Sequence, residues 1–295
     1  MLLREASIPS HKYRPITAEC RVPETVAAIV DAHRAGTIAP EQTVARSFAR
    51  IRAHGDVAIF ISLRDEDEAR AEARRLAADG AAGRPLFGVP VAVKDNIDVA
   101  GLPTTAACPA FSYKPARDAT AVARLKQAGA VIIGKTNLDQ FATGLVGVRT
   151  PYGTPRNLFD PKLIPGGSSS GSALAVAAGL VPLALGTDTA GSGRVPAALG
   201  NIVGLKPSVG LVSTAGVVPA CRTLDCVSIF SFTVDDAWTA LTAIAGYDRT
   251  DPYSRSLDAG ALGSMPKGAR LGVPMPGQRV FFGVLCGVRA NQARI

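Results

Sequence analysis

Histidine occurs three times in this chain of 295 residues, at His11, His33 and His54, and never after that. A serine hydrolase of the nucleophile-elbow type needs a histidine downstream of its serine, so that class of site is excluded for every serine beyond His54. Cysteine is scarce as well. The five thiols, Cys20, Cys108, Cys221, Cys226 and Cys286, are odd in number and none belongs to a C-x-x-C pair. This speaks against a disulfide framework, a zinc knuckle or a redox dithiol, and for a reducing cytoplasm in which thiols serve as small core residues. No apolar run reaches the length of a membrane span. Arg4 and Glu5 stand where an export signal would have its apolar region.

What is present suits a folded protein. Hydrophobic residues make up 47% of the chain and charged residues 19%, enough apolar material for a sizeable core and too little charge for disorder. The formal net charge of +8 raises the question of nucleic acid. A nucleic-acid binder concentrates its basic residues into a stripe or run. Here they are dispersed among acidic ones, as in RDEDEARAEARRL at 64–76, which reads as a solvated helix face. Nucleic acid is therefore not an expected partner.

Helical spacing predicts helices over 23–35, 40–54 and 65–79, the first two opening on a proline and stopping before Gly36 and Gly55. His33 and His54 fall near the ends of surface helices, as satisfied or solvated side chains. The texture then changes. LFGVPVAVKDNIDV at 86–99 predicts a buried strand running into a loop, and 119–130 a helix followed by a strand at 131–137. Residues 172–180 read as a helix and 181–188 as another buried strand. Helix and apolar strand alternate, which implies an α/β architecture with a sheet covered on both faces.

Two serine-glycine clusters carry the chemistry. GGSSSGS at 166–172 could be a mobile linker, an anion-holding turn or part of a catalytic site. Within it Gly167-Ser168-Ser169-Ser170-Gly171 imitates G-x-S-x-G with Ser169 as nucleophile, but DPKLIPG before it makes a poor strand and no histidine follows. The Walker pattern fails because no lysine follows Gly171. GTDTAGSGR at 186–194 follows a predicted strand, and its small residues would let backbone amides approach a substrate ahead of Ser192. Taken alone, a tight turn accounts for either cluster. A serine nucleophile without histidine needs another base, and a lysine made neutral by burial supplies one. Lys94, at the end of an apolar run, suits this; Lys135 and Lys206 compete. The S-x-x-K pattern at Ser264–Lys267, with Pro266 and flanking glycines, reads as a loop.

Taken together, GGSSSGSALAVAAGLVPLALGTDTAGSGRVPAALGNIVGLKPS at 166–208, with GVPVAVKDNID upstream, closely resembles the amidase signature family over roughly residues 20–280. Within the family, 94–111, 134–153 and 216–230 resemble the branch that hydrolyses allophanate more than the glutamine-using subunits of tRNA-dependent amidation. The resemblance implies a Ser–cis-Ser–Lys triad. Ser192 corresponds to the nucleophile, Ser168 to a middle serine that follows a cis peptide bond after Gly167, and Lys94 to a neutral base acting through Ser168. It implies an oxyanion hole from the amides of Thr189, Ala190, Gly191 and Ser192, bracing roles for Asp188 and Arg194, and supporting roles for Gly167, Ser169 and Ser170. Tyr247 and Arg255 become candidates for holding a substrate carboxylate. The implied reaction is amide hydrolysis of a small molecule, with allophanate yielding ammonia and carbon dioxide in urea or cyanuric acid catabolism, without metal or cofactor. Full-length relatives are expected to be homodimers.

The implied fold is α/β of the amidase signature type, a central mixed sheet covered by helices on both faces and incomplete at the C-terminus. N-terminal helices are expected at about 20–80 and a catalytic core at about 84–250, within a partial amidase domain of residues 1–281. Residues 282–295 read as an atypical tail, such as a frameshift or truncation produces, with weakened folding or activity as the consequence.

Overall fold

The computed structural model of this chain describes residues 24–263, together with Gly268 and Met275. The expectations for Arg4, Glu5, Cys20, Pro23, Ser264–Lys267, Cys286 and the 282–295 tail lie outside the described residues. A first compact unit ends at Gly260, and a second begins at Ala261.

The first unit holds its elements in the order α1 (Val26–Arg34), α2 (Pro40–His54), β1 (Phe60–Leu63), α3 (Glu66–Asp79), β2 (Pro90–Lys94), α4 (Thr120–Gln127), β3 (Val131–Thr136), α5 (Ser170–Ala177), β4 (Leu183–Asp188), α6 (Arg194–Leu199), β5 (Val203–Leu205), β6 (Cys226–Ser231) and α7 (Val234–Ile244). Helix α1 starts at Val26 because Thr25 caps it, its Oγ1 accepting the Ala28 N–H at 3.1 Å. Gly55, at φ +72°, closes α2 in the left-handed conformation that glycine adopts without a Cβ penalty. Strands β1, β5 and β6 and helices α6 and α7 were not among the elements expected from sequence. Two of those strands are only three or four residues long, too short for an alternation to register.

The sheet runs β1-β3-β2-β4-β6-β5. β2 lies parallel to both β3 and β4, while β1, β6 and β5 pair antiparallel with their neighbours. Strands β2, β3, β4 and β6 are buried along their whole length, as a sheet covered on both faces requires. The period of two decides which core each residue enters. Val91, Val93, Ile132, Leu183, Leu185, Val227 and Ile229 pack with residues of α1, α4 and α7. Their neighbours Ala92, Val131, Ile133, Ala184 and Phe230 pack with residues of α2, α3, α5 and α6.

Phe230 is fully buried, and its ring fills the space over Gly186, where a Cβ would come within 2.6 Å of the ring and 2.7 Å of Ser169 Oγ. Phe230→Ala is therefore expected to destabilise the fold by about 3–5 kcal/mol, the usual range for deleting a buried ring. Denaturant unfolding measures it, and a loss below about 1 kcal/mol would show that this core is not closely packed.

His33, in the last turn of α1, is buried and satisfied, one of the two states expected of it. Its Nδ1 donates to the Phe87 carbonyl at 2.8 Å and its Nε2 accepts from Thr43 Oγ1 at 2.8 Å, so it is a satisfied core residue whose pKa burial lowers. His54 is exposed. Among the described cysteines only Cys226 is a core residue. Cys221 is exposed in the turn that precedes β6, and Cys108 is half-buried, which corrects the reading of all thiols as core. Among the described residues no helix is long and apolar enough to cross a membrane.

Candidate active site

Parallel β2 and β4 run side by side, so their carboxyl ends lie at the same edge of the sheet, the place where open α/β sheets present functional groups. Lys94 closes β2, and Thr187 and Asp188 close β4. The GGSSSGS run is no linker. It forms a tight turn into α5, with Ser169 as the residue before the helix and Ser168, Ser169 and Ser170 fully buried. The peptide between Gly167 and Ser168 is cis, as the resemblance implied. Gly167 tolerates no side chain, because a Cβ there would meet the Asp139 carboxylate and the Gly147 amide.

Lys94 is fully buried and donates to Ser168 Oγ at 2.8 Å and to Thr187 Oγ1 at 2.7 Å. No carboxylate lies within ion-pair distance of it among the described residues. Burial pushes its pKa down from 10.5 to about 7, against the pull of Asp139, Asp188 and Asp225, which favour the charged form. At neutral pH a large share of this amine is unprotonated and able to accept a proton. The rival lysines are otherwise engaged. Lys135 Nζ faces Asp95 Oδ1 at 3.3 Å, an ion pair without hydrogen-bond alignment, and donates to Thr104 Oγ1 at 3.0 Å and to the Pro103 carbonyl at 3.2 Å. Lys206 donates to the Pro207 carbonyl at 2.8 Å.

Ser192 sits between β4 and α6, 4% exposed. Its carbonyl accepts the Ser169 N–H at 3.2 Å, which fastens the two serine clusters to each other. Its Oγ donates to the Gly144 carbonyl at 3.4 Å, and no hydrogen bond joins it to Ser168. Ser168 is thus hydrogen-bonded to Lys94 but not to Ser192. Ser169 Oγ donates to the Thr187 carbonyl at 3.1 Å. Ser170 Oγ is buried without a hydrogen-bond partner among the described residues.

Asp188 organises the turn before Ser192. Its Oδ1 accepts the Gly191 N–H at 2.8 Å, and its Oδ2 accepts the Gly193 and Arg194 N–H groups at 3.1 Å each. Arg194 adds a bidentate pair, Nε to Oδ2 at 2.9 Å and one terminal nitrogen to Oδ1 at 3.0 Å. Burial would raise the Asp188 pKa, but the guanidinium and the amides outweigh it and hold the carboxyl at about 2. One of the four amides expected to form an oxyanion hole already has an acceptor. Gly191 directs its N–H to Asp188, whereas the N–H groups of Thr189, Ala190 and Ser192 have no hydrogen-bond acceptor among the described residues.

Asp225 was not among the residues expected from sequence. Its Oδ1 accepts from Thr189 Oγ1 at 2.5 Å and from the Cys221 N–H at 3.0 Å, and its Oδ2 accepts the Ala220 N–H at 3.0 Å, so it ties the hole turn to the loop before β6. A lone acidic residue opening the apolar run DCVSIF was the available signal. Tyr247 and Arg255 are not drawn into the site. The Tyr247 side chain is 59% exposed, and Arg255 is exposed with its stem lying over Gly210. No hydrogen bond or ion pair among the described residues links either to Ser192, Ser168 or Lys94. Nor, among the described residues, is any group of three or more His, Cys, Asp or Glu placed to hold a metal ion.

A family model described as Amidase matches residues 42–280. The urea amidolyase of Lachancea kluyveri is 60% identical over 191 residues, 64% of this chain and 10% of that protein. A glutamyl-tRNA(Gln) amidotransferase subunit of Symbiobacterium thermophilum is 51% identical over 208 residues, 69% of this chain and 42% of that protein. Among solved structures, Kluyveromyces lactis allophanate hydrolase matches with a TM-score of 0.74 at 48% identity, covering 79% of this chain and 39% of that one. The chain spans less than half the length of each of these relatives.

Proposed function

We propose, from the premise that this chain belongs to the amidase family, that it hydrolyses a small linear amide with Ser192 as nucleophile and Lys94 as base through Ser168. The observation that carries this reading is the Lys94 amine: buried, free of any carboxylate contact, lowered to about 7 and bonded to Ser168 Oγ. In the reaction Ser192 Oγ leaves the Gly144 carbonyl, attacks the amide carbon and passes its proton to Ser168 Oγ while Ser168 passes its own to Lys94. The N–H groups of Thr189, Ala190 and Ser192 receive the oxyanion, and Asp188, clamped by Arg194, holds the turn that carries them. Ammonia leaves with the proton returned by Lys94, and water attacking the acyl-enzyme by the same relay releases the acid.

Allophanate is the first candidate substrate, because two of the relatives are a urea amidolyase and an allophanate hydrolase. The acid released would be N-carboxycarbamate, which loses carbon dioxide. Its anionic end calls for a cation, for which Arg255 with Tyr247 is proposed. A glutamine-using role is the second reading, favoured by the likeness to an amidotransferase. Ammonia release from allophanate, biuret and glutamine separates the two. Allophanate is expected to react fastest, and Arg255→Ala to raise KM for allophanate about tenfold or more while leaving neutral biuret unchanged, the loss of one charge-assisted pair. Turnover of glutamine alone would replace the first reading with the second. No cofactor enters either scheme.

A further inference from the structure

One buried carboxylate beside the site has no part in the chemistry just described. Asp139 follows β3, is fully buried, and has no lysine or arginine within ion-pair distance among the described residues. Among the described residues all its hydrogen bonds are to backbone. Oδ2 accepts the Gly147 N–H at 2.9 Å and Oδ1 the Arg149 N–H at 2.9 Å, while its own N–H donates to the Ser168 carbonyl at 3.0 Å. Two glycines lie directly against it. A Cβ on Gly144 would come within 2.7 Å of Oδ2, and one on Gly167 would run into the same atom. Gly144 supplies the carbonyl that accepts Ser192 Oγ, and Gly167 is the residue before Ser168. One carboxylate therefore touches both segments on which the two serines depend.

We propose that Asp139 is a positioning residue for this site, its carboxylate clamping the 144–149 loop against the Gly167–Ser168 peptide and so setting where Ser168 and Ser192 meet. The inference rests on the amidase reading above. A buried charge is unfavourable unless hydrogen bonds or an opposite charge compensate it. Two amides supply the first, and the nearby Lys94 amine is the group on which the charge acts. Asp139, Asp188 and Asp225 are the carboxylates that favour the protonated form of Lys94, with Asp139 the strongest of them. Asp188 already has Arg194 as its counter-ion, whereas Asp139 has none. Removing the Asp139 charge should thus both loosen the serines and make Lys94 release its proton at lower pH.

The test follows the sulfonylation of Ser192 by phenylmethanesulfonyl fluoride, read by intact mass against pH in the 295-residue chain. The serine oxygen bonds to sulfur, fluoride leaves, and the serine proton goes to Lys94 through Ser168. In the unsubstituted chain the rate should rise with pH through a midpoint near 7. In Asp139→Asn the plateau should fall about tenfold or more and the midpoint should drop by about half a unit or more, since one acceptor and the charge are both gone. Asp139→Glu should restore the midpoint but not the rate, because its charge is kept while its oxygens are displaced from the two amides. A slower Asp139→Asn with an unmoved midpoint would overturn the inference, leaving a merely structural residue. If Asp139→Asn does not fold, Asp139→Glu decides alone, and labelling at the full rate would overturn the proposal. Absence of label on Ser192 in the unsubstituted chain would remove the amidase reading, and this inference with it.

Discussion

Ser192→Ala is expected to lower amide hydrolysis by about four orders of magnitude or more, the scale seen when a nucleophile acting within a catalytic unit is removed. No neighbouring serine can take its place. Ser168 Oγ is held by Lys94, and Ser169 Oγ donates to the Thr187 carbonyl, both in fully buried positions. The fold should be indifferent to the change. Among the described residues the only hydrogen bond of Ser192 Oγ is the 3.4 Å one to Gly144, so unfolding free energy should move by less than about 1 kcal/mol. Ammonia release and denaturant unfolding on the same preparation check both halves. A variant that keeps its rate would place the nucleophile elsewhere, and one that unfolds would make Ser192 a structural residue.

Lys94→Met should lower the rate by about a thousandfold, within the range for losing a positioned base. The pH dependence carries the sharper signature. The neutral amine is the working form, so activity in the unsubstituted chain should rise as pH passes through about 7 and level off above it. The methionine variant should retain a residual rate without that limb. Stability should also respond to pH through this amine. With the folded-state pKa lowered from 10.5 to about 7, the unfolded chain holds the proton more tightly between those values. Stability of the unsubstituted chain therefore rises with pH across that window, and the methionine variant lacks the slope. At pH 7 the variant should be no less stable, since a partly charged buried amine has been exchanged for an apolar side chain of similar length. Unfolding at pH 7 and pH 9 gives the comparison, and a variant markedly less stable at both would show that Lys94 serves the fold.

Much of the fold is legible in the residues alone. The alternation through 86–137 and 172–188 marks strands buried on both faces and the helices between them, because a central strand and a covering helix leave different periods in the sequence. The absence of histidine after His54 removes the imidazole chemistry that the spacing of GGSSSGS imitates. The short edge strands β1 and β5 are not legible, since three or four residues carry no readable alternation. β6 lies within a stretch noticed only for its likeness to relatives.

The chain by itself determined which residue types were available: serines in glycine-rich turns, lysines at strand ends and no histidine beside them. That is local information, carried by composition and by periods of two and 3.6. Only the tertiary structure shows which lysine lies against a serine of the first cluster. Lys94 and Lys135 look alike in sequence, both closing apolar runs. Lys94 meets Ser168, 74 residues away, and Thr187, 93 residues away, with no carboxylate in contact, whereas Lys135 meets Asp95. The same holds for the amides of the second cluster, where Asp188 claims Gly191 and leaves its neighbours free, and for Asp139 and Asp225, ordinary acidic residues until the fold buries them. Burial and long-range hydrogen bonding set a group's charge state, and neither is written in the residues next to it.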